Sequence, residues 1–364
     1  MAFAGIYCSK RVFITGHTGF KGSWLTQWLL ELGADVVGYS LPAPTKPAMF
    51  DQIGIQSQIH HIEGDVRDLA FLRKSISEFR PDFVFHLAAQ SLVRSSYEQP
   101  VDTFSTNIMG TVNVLEAVRL ESQACIVVIV TTDKCYENKE WLHSYREEDP
   151  MGGYDPYSSS KGAAELVVAA YRRSYFTDIK SGIRLVSVRA GNVIGGGDWA
   201  LDRIVPDCIR SLTKNENICV RNKISTRPWQ HVLEPLSGYL WLGACLQKPE
   251  LVKLNNYLNS SFNFGPELNS NKTVAELVEE ILKYWPGVWV DKGDPQILHE
   301  AKLLNLSIDK AYHVLQWKPT LDFQQAIQYT VSWYRNSVSV AEYTKKQISS
   351  YTRQAHDQMI AWAK

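Results

Sequence analysis

"RVFITGHTGFKGSWLTQWLLELG", residues 11–33, runs from an unbroken apolar stretch through a glycine-rich turn into a helical pattern. Arg11–Gly16 has the apolar and β-branched character of a strand buried on both faces, and Leu25, Trp28, Leu29 and Leu32 share one face of a helix. Between them Gly16, Gly19 and Gly22 stand three residues apart. Such a loop reaches left-handed dihedrals, lets backbone approach a pyrophosphate and aims a helix N-terminus at it. A glycine count alone also suits a structural tight turn, so the neighbouring segments decide.

Outward from that stretch the strand and helix rhythm repeats. "DVVGYS" reads as a second strand, "IHHIEGDVRD" contains a third, "DFVFHLAAQ" a fourth, "CIVVIVTTDK" a fifth and "IRLVSVRAGNVIG" a sixth. Helical patterns lie between them in "AFLRKSISEF", "NIMGTVNVLEAVRLES" and a segment beginning near Tyr157. Continuous apolar strands alternating with helices specify a parallel sheet covered on both faces, an α/β fold of Rossmann-like type. Beyond about residue 195 the pattern becomes a smaller mixed α/β lobe, with helices expected in "DRIVPDCIRSLTKN", "RPWQHVLEPLSGYLWLGACLQ" and "TVAELVEEILKYW". "LPAPTKPAMFD", with three prolines, is expected to be a loop.

The bulk numbers exclude several classes. A chain of 364 residues with 45% hydrophobic and 21% charged residues belongs among ordinary globular proteins. Its 38 basic and 38 acidic side chains cancel, so neither nucleic acid nor an anionic membrane is the expected partner. Six cysteines without a C-x-x-C pair fit a reducing cytoplasm. The N-terminus lacks the apolar region of a signal peptide, and runs such as "IVVIV" are far shorter than a membrane span. His60, His61 and His86 have no partner at metal-site spacing, and no metal is expected.

With "EGDVRD" and "LAAQ" following the loop in order, the glycines read as a dinucleotide site. Gly16, Gly19, Phe20, Lys21 and Gly22 form the cradle, with His17 and Lys21 attending the pyrophosphate or solvent. Asp65 and Val66 lie against the adenine, and Leu87, Ala88 and Ala89, followed by Gln90, line the crevice. The second strand ends in "GYSLPAP", without an acid for a ribose diol or an arginine for a 2'-phosphate, so residue chemistry leaves NAD and NADP both open.

The fifth strand runs into "TTDKCY", residues 131–136, a hydroxyl, a carboxylate and an ammonium group side by side. "YSSSKGAAE" puts Tyr157 and Lys161 four apart on one helix face, with Glu165 placed for a helix salt bridge to Lys161. A lysine there can lower the phenol pKa from its reference of about 10, making Tyr157 a base next to a hydride acceptor, with Thr132 holding the substrate oxygen.

Through "VFITGHTGFKGSWL", "TTDKCY", "DPYSSSKGAAE", "RAGNVIGGGDW" and "RPWQHVLEPLSGYL" the chain resembles the extended short-chain dehydrogenase/reductase superfamily over about residues 10–336. Within it the nucleotide-sugar 4,6-dehydratases are most similar, in particular the branch acting on CDP-glucose. The resemblance implies NAD as cofactor, CDP-glucose as substrate and a 4-keto-6-deoxy sugar as product. It implies that Tyr157 takes the 4-hydroxyl proton, that Asp133 is the acid for the 6-hydroxyl and that Lys134 handles the C5 proton. Related dTDP-sugar dehydratases carry aspartate then glutamate at these two positions, so Lys134 is the departure; it acts as a base once deprotonated or steadies an enolate. Asn192, Arg203 and Arg227 are expected on the nucleotide diphosphate, Arg203 alternatively capping its helix, and Ser91 and Arg94 on the glucosyl side. Trp199, Trp229 and Trp241 are open between stacking and core burial.

The same resemblance divides the chain into a NAD-binding domain at residues 1–190, a lobe at 191–345 that is mainly for the nucleotide sugar with segments returning to the first domain, and a peripheral helix at 346–364. It also implies a homodimer or homotetramer and a place in lipopolysaccharide O-antigen synthesis, feeding dideoxysugars. An epimerase or reductase keeps Thr132, Tyr157 and Lys161 but has no need of the Asp133–Lys134 pair, and an idle nucleotide binder needs none of them.

Overall fold

The computed structural model describes residues 1–122, 124–177, 182–251, 253–293, 303–336 and 339–364. The six expected strands form: β1 (Arg11–Thr15), β2 (Asp35–Ser40), β3 (His60–Glu63), β4 (Phe83–His86), β5 (Cys125–Val130) and β6 (Ile183–Arg189). Short strands follow in the second half, β7 (Val193–Ile194), β8 (Ile218–Val220), β9 (Thr226–Pro228), β10 (Gln230–His231), β11 (Ser261–Asn263), β12 (Asn271–Thr273) and β13 (Trp289–Asp291). The main sheet has seven strands in the order β11-β6-β5-β4-β1-β2-β3, every pair parallel. Its order reverses between β1 and β4, so the connections leave in opposite directions and open a crevice at their carboxyl ends. The seventh strand, β11, comes from the lobe and has no sequence signal of its own.

The helices are α1 (Phe20–Glu31), α2 (Met49–Gln52), α3 (Leu69–Phe79), α4 (Val93–Glu98), α5 (Pro100–Phe104), α6 (Gly110–Glu121), α7 (Pro156–Ser174), α8 (Ile204–Thr213), α9 (Leu233–Gln247), α10 (Val274–Tyr284), α11 (Asp309–Leu315), α12 (Phe323–Arg335) and α13 (Val340–Asp357). Strand alternation divides the core. Val12, Ile14, Phe83 and Phe85 face α1 and α9, whereas Phe13, Val37, Val84 and Val127 face α3, α6 and α7. A separate cluster of Ile209, Leu277, Ile281 and Ile327 holds α8, α10 and α12 of the lobe together. The expected loop at "LPAPTKPAMFD" ends in α2, because Met49 and Phe50 turn inward and bury.

Local chemistry sets the helix starts. The Asp68 carboxylate accepts from Phe71 N–H at α3, and a capping box of Thr273 and Glu276 opens α10. α13 lies over α1 and α12; behind it Trp362 is fully buried and stacks on Phe3, ring centroids 5.0 Å apart. Trp24 of α1 donates its indole N–H to the Gly196 carbonyl of the lobe at 2.9 Å, a buried hydrogen bond. Among the described residues no helix is long and apolar enough to cross a membrane.

Candidate active site

β5 delivers its terminal residues to the crevice rim, and α7 brings a second set beside them. Asp155 caps α7 by accepting from Ser158 N–H at 2.9 Å, with Pro156 in the first turn. Gly162 lets the helix press close: a Cβ there would lie 2.5 Å from the Gly152 carbonyl oxygen and 3.1 Å from that of Cys135. That contact fixes the Tyr157 and Lys161 face of α7 against the turn Asp133–Cys135.

Thr132, Asp133, Tyr157 and Lys161 are all buried there, and Lys134 is half-buried. The Thr132 hydroxyl donates to Asp133 Oδ1 at 2.8 Å and accepts from Lys134 N–H at 3.4 Å. Asp133 Oδ2 has no hydrogen-bond partner among the described residues. A Cβ at Gly191 would sit 2.0 Å from that oxygen, so glycine makes the room this carboxylate uses. Sequence reasoning took "RAGNV" for Asn192; the space beside Asp133 belongs to Gly191. Asn192 itself has a left-handed φ of 38°, and its carbonyl accepts from Gln230 N–H at 3.3 Å.

Electrostatics in the protein differ from the sequence expectation for Tyr157. Burial pushes its phenol up to about 12, a hydrogen bond with Thr132 pulls the other way, and Asp133 opposes ionisation. Lys161 instead donates to the Val130 carbonyl at 3.3 Å; burial draws it down to about 8 although Glu165 pushes it up. Lys21, assigned from sequence to the pyrophosphate or solvent, reaches the same cluster. Its ammonium is drawn down to about 8 by burial, then by Arg203 and Lys161, while Asp133 opposes the shift, and it lies 5.8 Å from the centre of the Tyr239 ring. The Tyr239 hydroxyl is buried without a hydrogen-bond partner among the described residues and is raised by burial, then by Asp133 and Tyr157. Neither Lys21 as an active-site cation nor Tyr239 has a periodicity that reveals it.

The cradle fits a dinucleotide. Gly16 takes a φ of +78°, and a Cβ there would come within 2.6 Å of Ala88 N, while one on Gly22 would come within 2.1 Å of the Gly16 oxygen. Gly19 stands at the start of α1 with no side chain capping the free N–H groups, leaving them for an anion. Phe20 and Lys21 are half-buried beside the loop, as are Leu87, Ala88 and Ala89. Asp65 is half-buried and holds Arg67 through both carboxylate oxygens; Val66 is buried. His17, placed by sequence at the pyrophosphate or solvent, is buried and turns to His61, Nε2 to Nδ1 2.7 Å; burial lowers it to about 3. Asn107, unforeseen from sequence, donates to the Gln90 carbonyl at 2.9 Å and to the Ser160 hydroxyl at 2.8 Å, joining the crevice loop to α7.

Across the crevice mouth several of the expected substrate contacts meet. Arg203 donates to Asp198 at 3.0 Å and to the Ser91 hydroxyl at 3.5 Å, and makes no side-chain cap on α8. Arg94 pairs with Asp202 at 3.2 Å. Arg227 is buried on β9, donating to the Thr226 carbonyl at 2.7 Å. The tryptophans are committed to packing: Trp229 donates to the Lys272 carbonyl, Trp241 to that of Leu315, and Trp199 to Gln52 while lying edge-on to Tyr334. His86 is enclosed by the Thr15 and Thr111 hydroxyls at 2.7 and 3.2 Å, and His60 is exposed. Glu165 does not pair with Lys161; it binds Arg189 at 2.8 Å, because that face of α7 packs on β6. No group of three or more metal-binding side chains occurs among the described residues.

Comparison with known proteins places the chain among nucleotide-sugar dehydratases. The chain is 47% identical over 350 residues to the CDP-glucose 4,6-dehydratase of Salmonella typhimurium, covering 94% of this chain and 96% of that one. Its fold superposes on the UDP-glucose 4-epimerase of Thermus thermophilus in complex with NAD at a TM-score of 0.76, with 25% identity, covering 90% of this chain and 100% of that one. It also superposes on the dTDP-glucose 4,6-dehydratase of Bacillus anthracis in complex with NAD at a TM-score of 0.73, with 22% identity, covering 90% and 97%. The family model described as GDP-mannose 4,6 dehydratase matches residues 13–330, and with the strand-end and helix residues placed as above the chain belongs to that family.

Proposed function

We propose that the chain is an NAD-dependent CDP-glucose 4,6-dehydratase, a hydro-lyase that converts CDP-D-glucose to CDP-4-dehydro-6-deoxy-D-glucose. The supporting observation is the buried Asp133 carboxylate with one open oxygen beside Thr132. An epimerase or a reductase has no task for that acid. The identity to the Salmonella relative, 47% over almost the whole chain, supports the nucleotide.

Gly16, Gly19, Phe20, Lys21 and Gly22 hold NAD at the start of α1, Asp65 and Val66 hold its adenine side, and Leu87, Ala88, Ala89, Tyr157 and Lys161 its nicotinamide side. When bound, NAD supplies the hydride acceptor for C4 and the hydride donor for C6. Tyr157, once ionised against the burial that holds its proton, takes the proton of the sugar 4-hydroxyl, and Thr132 holds the same oxygen. The 4-ketone acidifies the C5 proton. Lys134 either removes that proton as an amine or steadies the enolate as an ammonium, and C5 exchange with solvent in Lys134→Met separates the two roles. A hydroxyl has one donor, so Thr132 turns from Asp133 to the sugar when it takes the 4-oxygen; protonated Asp133 then gives its proton to the 6-hydroxyl as water departs. Asn192, Arg203 and Arg227 bind the nucleotide diphosphate, and Ser91 and Arg94 reach the glucosyl side.

In this reading residues 1–190 carry the cofactor and 191–345 mainly the nucleotide sugar, with 346–364 outside the site. The protein works in the cytoplasm, as a homodimer or homotetramer, on the way to dideoxysugars of lipopolysaccharide O-antigen. Exposed Leu120 on α6 and Leu166 on α7 supply apolar surface for the oligomer. Incubation with NAD and CDP-glucose, UDP-glucose, dTDP-glucose or GDP-mannose, followed by mass spectrometry, tests the proposal. Loss of one water confined to CDP-glucose, with solvent deuterium entering at C5, is the expected result. Absence of water loss from all four overturns it.

A further inference from the structure

Behind the reacting groups lies a buried ion pair that no step above uses. Glu165, one helical turn beyond Lys161 on α7, accepts the Thr131 hydroxyl on Oε1 at 2.5 Å. Its Oε2 accepts the Ser187 hydroxyl and an Arg189 guanidinium N–H, each at 2.8 Å. Arg189 sends its other terminal nitrogen to the Tyr136 hydroxyl at 2.7 Å, and Tyr136 donates to Asn263 Oδ1 at 2.7 Å. All six of these side chains are buried.

The placement matters more than the count of bonds. Thr131 and Tyr136 are the residues on either side of Thr132–Cys135, so the network grips the turn at both ends while Glu165 belongs to the helix that carries Tyr157 and Lys161. β6 and β11 anchor it from behind through Ser187, Arg189 and Asn263. A buried ion pair is weak evidence for stability, since well-packed apolar side chains serve as well or better. What an apolar replacement would not reproduce is directional contact to Thr131 and, through Arg189, to Tyr136.

Resting on the dehydratase reading, we propose that Glu165 is a positioning residue that holds the Thr132–Lys134 turn at a fixed distance from Tyr157 and Lys161 and sets a negative charge one helical turn from the Lys161 ammonium. Lys161 is faced by Glu165 on its own helix, Cys135 on the turn, His86 on β4 and Lys21 on α1. Of these, Glu165 and Cys135 favour its charged form, and only Glu165 is an ordinary anion near neutral pH.

Three variants separate geometry from charge. Glu165→Asp keeps the charge and shortens the reach; Glu165→Gln keeps the shape and removes the charge; Thr131→Val removes one contact and leaves the ion pair, which protects the test against a variant that does not fold. In the NAD-loaded enzyme, Glu165→Asp and Thr131→Val are expected to lower kcat for CDP-glucose on the order of tenfold to a hundredfold with KM nearly unchanged. In the full chain without NAD, competitive acetylation read by mass spectrometry follows the Lys161 midpoint. It is expected to fall by about one unit in Glu165→Gln and to stay in place in Glu165→Asp. Wild-type kcat in both Glu165→Asp and Thr131→Val, or losses that only track the folded fraction, overturn the geometric half. A Lys161 midpoint unmoved by Glu165→Gln overturns the charge half. Failure of the wild type to dehydrate CDP-glucose counts against the dehydratase reading alone, because the acetylation measurement needs no turnover.

Discussion

Asp133, at the carboxyl end of the sheet, and Glu234, at the start of α9, are carboxylates of almost equal burial, 2% and 1% exposed. Their surroundings are opposite. Glu234 accepts from Thr320 N–H and Leu321 N–H on one oxygen at 3.1 and 2.7 Å, and from Thr320 N–H and the Tyr351 hydroxyl on the other at 3.0 and 2.9 Å. Asp133 has one oxygen engaged by Thr132 and the other buried beside Gly191 without a hydrogen-bond partner among the described residues. Burial alone therefore does not mark a working acid. An acceptor left open where parallel strands end does, whereas a saturated one ties distant segments together.

The sharpest way to break the contrast is Asp133→Asn. It is expected to cut water loss from CDP-glucose by about a hundredfold to ten-thousandfold, the usual share of a general acid, while thermal stability holds or rises. Mass spectrometry of the sugar nucleotide and a melting curve check it together, and wild-type dehydration in this variant would erase the difference between the two acids. Gly191→Ala probes the room rather than the group. Its Cβ would fall 2.0 Å from Asp133 Oδ2, so a kcat loss on the order of a hundredfold is expected, with a stability loss of about 1–3 kcal/mol in urea unfolding.

Glu234→Leu sharpens the other side. It strands the Thr320 and Leu321 N–H groups in the core, costing about 1–3 kcal/mol for each, whereas the Tyr351 hydroxyl keeps Ser237 Oγ at 3.2 Å; turnover per folded molecule stays at the wild-type value. The pH dependence carries the same signature. Burial raises Glu234 from the ordinary 4.5 to about 7, so the folded chain holds this proton more tightly than the unfolded chain. The resulting stability is complete below the unfolded value and is lost as pH rises toward the folded one, by about 3 kcal/mol in all. Urea titrations across that window should show this slope in the wild type and lack it in Glu234→Leu. The smallest effect belongs to Arg94→Ala at the crevice mouth. Its pair with Asp202 is about half exposed, so stability should change by less than about 1 kcal/mol, and KM for CDP-glucose should rise by about fivefold or less.

The strands that build the sheet were legible because each is a continuous apolar run, and Tyr157 and Lys161 were legible because four residues span one helical turn. β11 was not, since three residues of "SFN" have no period to read and acquire strand character only beside β6. Glu165 satisfied the same four-residue rule toward Lys161, yet the face of α7 that packs on β6 supplies Arg189, a stronger partner. Lys21 was visible as a loop residue, but its direction depends on how α1 sits against α9, a contact between segments more than two hundred residues apart. Gly191 illustrates the same limit. Its importance is the volume it lacks, and only the neighbour that fills that volume reveals it.

The Trp24 indole bonded to the Gly196 carbonyl has a mechanical consequence. It rivets the helix that begins at the glycine cradle to the second lobe, in a place sealed from solvent. At the crevice mouth Arg203 reaches the Ser91 hydroxyl at 3.5 Å and the half-exposed Arg94–Asp202 pair crosses between the same two parts. The two halves are thus bound like the covers of a book, with Trp24 in the spine and the arginines on the fore-edge. Parting the fore-edge would break solvent-exposed contacts and leave the buried Trp24 bond in place.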